Sequence, residues 1–328
     1  MNVRRHLIPT AAATATVLTL GALTGCSAFE DDGAGDGRSG GRLDVVASFY
    51  PMAYLAEQIG ADHVRVTNLT GPGQEPHDLE ISAKQRGQIE KADAALYLKD
   101  LQPSVDEAIK QSGVRTKIDA ASLTTLEKHG SEVGGHHDHG DHDHGDEHGH
   151  DHGGEGLDPH VWLDPVRYAK VAKGVGKALA KADPDHAADY RKNTSALVGK
   201  LDDLDGRYRA GLKNTERKTF ITTHAAFGYL AERYGLTEEA ISGLDPESEP
   251  SAARVRELQH LAKEDGATTV FYETLVSDKT AKTLAGDAHL RTDVLDPIEG
   301  ITGKSRGQDY VQVMDANLKA LQKALGSK

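Results

Sequence analysis

Residues 185–212 read DHAADYRKNTSALVGKLDDLDGRYRAGL, and the reading of this stretch decides the fold. Tyr190, Leu197, Leu201, Leu204, Tyr208 and Leu212 recur at spacings of seven, four, three, four and four. That is an apolar stripe of helical period. It predicts one helix of about 28 residues, roughly 40 Å at 1.5 Å per residue. A helix of that length spans a molecule of this size and can join two lobes. The chain has 328 residues, enough for two domains.

Short apolar runs alternate with helical patterns on both sides of this helix. Before it, strands are expected over 44–49, 64–69, 94–98 and 117–119. Helices are expected over 51–59, 82–91, 103–111 and 165–182. After it, the expected strands are 218–223, 240–242, 268–272 and 292–295. The helices there are 225–234, 251–264, 277–288 and 309–325. Such alternation predicts an α/β protein with mostly parallel sheets covered on both faces. The expected architecture is two (β/α) lobes bridged by a long rigid helix, with a cleft between them. The lobes are assigned to 43–184 and 214–328, and the connecting helix to 185–213.

The N-terminus reads as a targeting segment over 1–25. Arg4, Arg5 and His6 precede an apolar stretch to Leu23, too short and too interrupted for a membrane span. It ends at Leu23-Thr24-Gly25-Cys26, which resembles the lipobox of bacterial lipoprotein precursors. That resemblance implies cleavage before Cys26 and lipid attachment to it. Residues 26–42 are rich in Gly, Asp and Ser and read as a flexible tether. Cys26 is the only cysteine, which excludes an intramolecular disulfide and a cysteine zinc cage. Any metal must be held by nitrogen and oxygen. With 51 acidic against 38 basic side chains and a formal charge of -13, the chain would repel nucleic acid and tolerate cations.

Nine of the 17 histidines fall within 129–152, interleaved with Asp and Gly. The stretch 129–155 has no apolar periodicity and is expected to be a disordered loop. Imidazole is a common transition-metal ligand. His136, His137, His139, His142, His144, His148, His150 and His152 are therefore expected to bind metal at several comparatively weak sites, because a Gly-rich stretch cannot hold one fixed geometry.

A tighter constellation lies outside that loop. His77 follows an expected strand in Glu75-Pro76-His77. His160 sits in Asp158-Pro159-His160-Val161-Trp162-Leu163-Asp164-Pro165. His224 follows the strand 218–223 directly, and Asp296 follows the strand 292–295. In open α/β sheets ligands gather beyond the carboxyl ends of strands, where His77, His224 and Asp296 are expected to fall. Three of these four neighbour a proline, which stiffens the loops that carry them.

These blocks, with Thr223-His224-Ala225-Ala226-Phe227 and Pro246-Glu247-Ser248-Glu249-Pro250-Ser251, occur in one order. They resemble the metal-specific solute-binding proteins (cluster A-I) of zinc and manganese ABC importers, from about Leu43 to the C-terminus. The resemblance implies two lobes joined by a rigid helix, with metal in the cleft. It also implies that His77, His160 and His224 are ligands, with Asp296 in the fourth position. It further implies delivery to a permease served by a separate ATPase, at the extracytoplasmic face of a bacterial membrane. The receptor is expected to be a monomer, attached to that membrane through its lipid alone. Three imidazoles and one carboxylate suit tetrahedral Zn2+, whereas manganese prefers oxygen-rich octahedral surroundings. In that family a histidine in the third position also goes with zinc.

Glu75 and Glu273 lie close to the expected cleft. Glu273 ends a strand and reads as a carboxylate that orients an imidazole, or as a simple salt-bridge partner. Glu75, only two residues from His77, would be strained in reaching the same ion. A manganese receptor of the same fold is the nearer alternative. A secreted zinc hydrolase is the more distant one, for the chain has no His-Glu-x-x-His helix and no Gly-x-Ser-x-Gly elbow. Gly300-Ile301-Thr302-Gly303-Lys304-Ser305 imitates a phosphate loop, but Ile298 stands where the motif needs its first glycine. No enzymatic activity is expected.

Overall fold

The computed structural model describes residues 41–130 and 156–327. The targeting segment, Cys26, most of the tether and the histidines between His136 and His152 lie outside the described residues.

Among the described residues, eight strands form two four-stranded sheets, all parallel. The first comprises β1 (Leu43–Ala47), β2 (Val64–Asn68), β3 (Ala94–Tyr97) and β4 (Thr116–Asp119), in the order β2-β1-β3-β4. The second comprises β5 (Thr219–Thr222), β6 (Thr237–Ala240), β7 (Thr269–Tyr272) and β8 (Arg291–Val294), in the order β6-β5-β7-β8. Each order places the lobe's first strand second, so the two sheets repeat one topology. Helices α1 (Tyr50–Gly60), α2 (Ala83–Lys91), α3 (Pro103–Gln111) and α4 (Pro165–Ala182) accompany the first sheet. After α5 (Ala187–Leu212) come α6 (Gly228–Tyr234), α7 (Ala252–Glu264), α8 (Lys279–Asp287) and α9 (Tyr310–Leu325).

The apolar stripe does what its period requires. All six of its residues are buried, against α1 and α4 on one side and α6 and α9 on the other. At 26 residues, α5 is about 39 Å long. Its approach to α4 depends on Gly176, where a Cβ would lie 2.1 Å from Thr194 Oγ1. Any larger residue there would force the two helices apart. Asp164 starts α4 by accepting from the N–H groups of Val166 and Arg167, with Pro165 as the first helical residue. This cap fixes the loop that holds His160.

One continuous core runs from α1 and β1 through Trp162 to α9. Trp162 is fully buried, packs edge-on to Phe49 at 5.0 Å, and donates its Nε1–H to Pro297 O at 2.7 Å. Tyr310 Oη donates to Trp162 O at 2.5 Å. Trp162 thus ties the His160 loop to the segment after β8, and truncating it would cost about 3–5 kcal/mol.

Two expectations differ from what is observed. The strand expected over 240–242 is β6, three residues earlier, where Glu238 and Glu239 masked the strand signal. Glu238 earns its place by accepting from Thr222 Oγ1 at 2.7 Å and from Phe227 N at 3.0 Å. Burial pushes its carboxyl up to about 7. His224 also does not open a helix directly, because α6 begins only at Gly228.

Candidate metal centre

Three loops beyond strand carboxyl ends and one short turn converge on a single point. His77 lies between β2 and α2, His224 two residues after β5, and Glu299 five residues after β8. His160 precedes the one-turn 3-10 helix Val161–Leu163 that leads into α4. Among the described residues, His77, His160, His224 and Glu299 offer ligand atoms mutually within 4.8 Å.

The separations are informative. Glu299 Oε1 lies 3.2 Å from His77 Nε2, 3.4 Å from His160 Nε2 and 3.5 Å from His224 Nε2. His160 Nε2 and His224 Nε2 are 3.3 Å apart. Four ligands about 2.0–2.1 Å from a central ion sit on a tetrahedron whose edge is about 3.3–3.4 Å. These four separations fall around that value. Glu299 Oε2 is buried with no hydrogen-bond partner, as a carboxylate waiting for a cation would be.

Each deeply buried imidazole is held from behind. His160 Nδ1 donates to Asp158 Oδ1 at 2.8 Å, and Asp158 is itself fully buried. His224 Nδ1 donates to Glu273 Oε1 at 2.6 Å, and Thr223 Oγ1 donates to the same oxygen at 2.5 Å. These bonds place a proton on Nδ1, aim Nε2 at the Glu299 oxygen, and raise the basicity of Nε2 as a metal ligand. His77 is braced differently: its backbone N–H donates to Glu75 Oε1 at 3.0 Å. Glu75 Oε2 accepts from Asp78 N at 3.2 Å. Glu75 therefore shapes the turn and leaves the ring alone.

The charges are strongly coupled. Burial alone would lower the His160 and His224 values, yet both end raised. Asp158 and Glu299 outweigh burial at His160, and Glu273 with Glu299 does so at His224. Burial would raise Glu299, but hydrogen bonds from the three imidazoles hold it well below the usual carboxylate range. Without metal, then, His160 and His224 hold a proton more firmly than a free imidazole does.

Among the described residues, the group whose ligand atoms lie within reach of one another includes Glu299 and not Asp296, the residue expected from the sequence in the fourth position. Asp296 Oδ1 accepts from Ile298 N at 2.8 Å, and Oδ2 accepts from Thr274 Oγ1 at 3.1 Å. Its backbone is clasped by Asn317, which accepts from Asp296 N at 3.0 Å and donates to Asp296 O at 2.7 Å. Burial pushes its carboxyl up to about 6. Asp296 is occupied in shaping the turn, in which Ile298 adopts a φ of 61° and directs the chain so that Glu299 enters the cleft. A positive φ at a β-branched residue is rare and gives no sign in the sequence. Pro297 was the one available signal that the chain turns here.

Residues 45–324 match the family described as ZnuA, "Zinc-uptake complex component A periplasmic". The zinc-binding lipoprotein AdcA of Streptococcus pneumoniae (strain R6) is 39% identical over 287 residues, covering 86% of this chain and 55% of AdcA. The chain thus spans about half the length of that relative. The high-affinity zinc uptake system protein ZnuA of Bacillus subtilis is 37% identical over 306 residues, covering 92% of both chains. The crystal structure of the Zn(II)-bound ZnuA-like domain of S. pneumoniae AdcA superposes with a TM-score of 0.70 at 35% identity. That match covers 87% of this chain and 99% of that domain.

Proposed function

The chain belongs to the ZnuA family of periplasmic zinc-uptake components, and from that premise we propose that it is a receptor that captures Zn2+ and delivers it to an ABC importer. The observation that carries this reading is the set of four buried or half-buried ligand atoms at tetrahedral edge distances. In it His77, His160, His224 and Glu299 are the ligands, two from loops before α5 and two from loops after it. Capture needs a closed shell, and a fourth protein ligand supplies it. A hydrolytic zinc would instead keep that position for water, so the receptor role is favoured over catalysis.

The receptor is a monomer held at the extracytoplasmic face through lipid on Cys26. Its partners are a permease and a separate ATPase. The histidines between His136 and His152 gather further zinc with lower affinity. No helix among the described residues is long and apolar enough to cross a membrane.

Calorimetry of the soluble form beginning after Cys26 tests the reading. Zinc should bind at one tight site and displace manganese from it. Equal or tighter manganese binding would assign the receptor to that metal instead.

A further inference from the structure

His129 lies just outside the proposed ligand set, at the edge of the histidine-rich stretch. Its Nδ1 is 3.1 Å from Asp158 Oδ2, while the other oxygen of that carboxylate accepts from His160 Nδ1 and from His160 N at 2.9 Å. One buried carboxylate is therefore shared by two imidazoles. We propose that His129 is a positioning residue for zinc capture, acting through Asp158 to orient the His160 ring.

The surroundings hold His129 in this role. Asp158 N donates to Glu127 O at 2.8 Å, so the two chain segments that carry Asp158 and His129 are tied together. Tyr229 Oη donates to Asp158 O at 2.8 Å and accepts from Glu127 N at 2.7 Å, and its ring meets that of His129 edge-on at 4.5 Å. A Cβ on Gly228, the first residue of α6, would lie 2.3 Å from His129 Cβ. The absence of a side chain there is what admits the imidazole. His129 is thus wedged between the Asp158 that braces His160 and the helix that follows His224.

A buried carboxylate is costly unless each oxygen finds donors. His160 and its backbone serve Oδ1, and His129 serves Oδ2. The hydrogen bond to Asp158 is the chief reason that the His129 imidazole is held above its ordinary value. Without this donor the carboxylate plane is free to rotate, and the His160 ring follows it.

A competing role for the same cluster is weaker. Glu127, His129 and Glu232 also bring ligand atoms within 4.8 Å of one another. Arg167 Nη2 already pairs with Glu127 and lies 3.7 Å from Glu232 Oε2. The guanidinium meets the charge that a second cation would bring, so the trio is an ion-pair network.

This inference rests on the proposed zinc site, and the experiment separates the two. In the full mature chain, the first equivalent of zinc is titrated against a chelator. The His160 Nδ1–H proton resonance is followed in the zinc-loaded protein. His129→Leu fills the space without a donor and should weaken the tightest site by about 3- to 10-fold, a fraction of the effect of removing a direct imidazole partner. It should also shift or broaden that resonance. His129→Asn places a donor where Nδ1 stands and should restore both readouts. The effect of His129→Leu should vanish in an Asp158→Asn background. If His129→Leu leaves affinity and resonance unmoved, or if His129→Asn is as impaired as His129→Leu, the inference is overturned. Absence of a tight site in the unaltered protein would instead defeat the zinc reading itself.

Discussion

His224 and His77 face the same Glu299 oxygen from loops on opposite sides of the cleft, yet the protein holds them by different means. His224 is buried, two residues beyond a central strand, with its ring clamped by Glu273. His77 sits on the loop between β2 and α2, its side chain 12% exposed, and its brace from Glu75 acts on the backbone. Of the four proposed ligands, His77 lines the cavity of about 840 Å³ that opens beside the site. On the preset side the rings are clamped from behind, whereas His77 is held only through the backbone of its loop. His160, clamped by Asp158, belongs with His224 on the preset side.

Removing a preset ligand should have the largest effect. A closed zinc shell supplies about 10–16 kcal/mol in all, so one ligand in four is worth roughly 3–4 kcal/mol, or about a hundred- to a thousandfold in affinity. His224→Ala should lose that much in a chelator competition, with the fold intact by circular dichroism. A loss under tenfold would remove His224 from the shell.

Removing a clamp comes next. Glu273→Gln keeps the volume and removes the charge, and should cost about 10- to 100-fold. Unchanged affinity would reduce Glu273 to a bystander and erase the contrast with His77.

The pH dependence follows from the coupled charges. Zinc must displace protons from the His160 and His224 imidazoles, whose values are raised above 6.5, so affinity should fall as pH drops through those values, roughly tenfold per unit for each proton displaced. In the metal-free protein the sign is reversed. The raised imidazoles contribute stability that is full below about pH 6.5 and lost as pH rises through their folded values. The depressed Glu299 contributes above its ordinary range near 4.5, and that share is lost as pH falls through its folded value. The Tm gained on adding zinc should therefore widen as pH rises from 6 to 8.5, and a constant gain would contradict the raised imidazole values.

The smallest effect should come from the brace behind His77. Glu75→Gln loosens a turn without touching a ring, and should change equilibrium affinity by about threefold or less while speeding zinc loss to a chelator. A loss equal to that of Glu273→Gln would show that His77 is preset as well.

Much of this was legible in the sequence, for identifiable reasons. The α5 stripe was readable because a helix buried along one face must repeat its apolar residues with helical period. His77, His160 and His224 stood out because each sits in a short, stiff loop beside a strand or helix end. Glu299 did not, because its position depends on a positive φ at Ile298 and on Asp296 spending its carboxylate on the turn. Strand β6 was displaced in the reading because Glu238, a charged residue, is buried there on hydrogen bonds that only the fold creates. His129 was grouped with the histidine-rich stretch beside it, since its link to Asp158 crosses 29 residues of chain.

The proposed zinc site is a closed tetrahedral shell of three imidazoles and the Glu299 carboxylate. A crystal structure of the protein with one equivalent of zinc tests it most directly. Nε2 of His77, His160 and His224 should lie at about 2.0–2.1 Å and one Glu299 oxygen at about 2.0–2.2 Å from the ion. An Asp296 oxygen or a water in place of Glu299, or ligation through Nδ1 of His160 or His224, would contradict it.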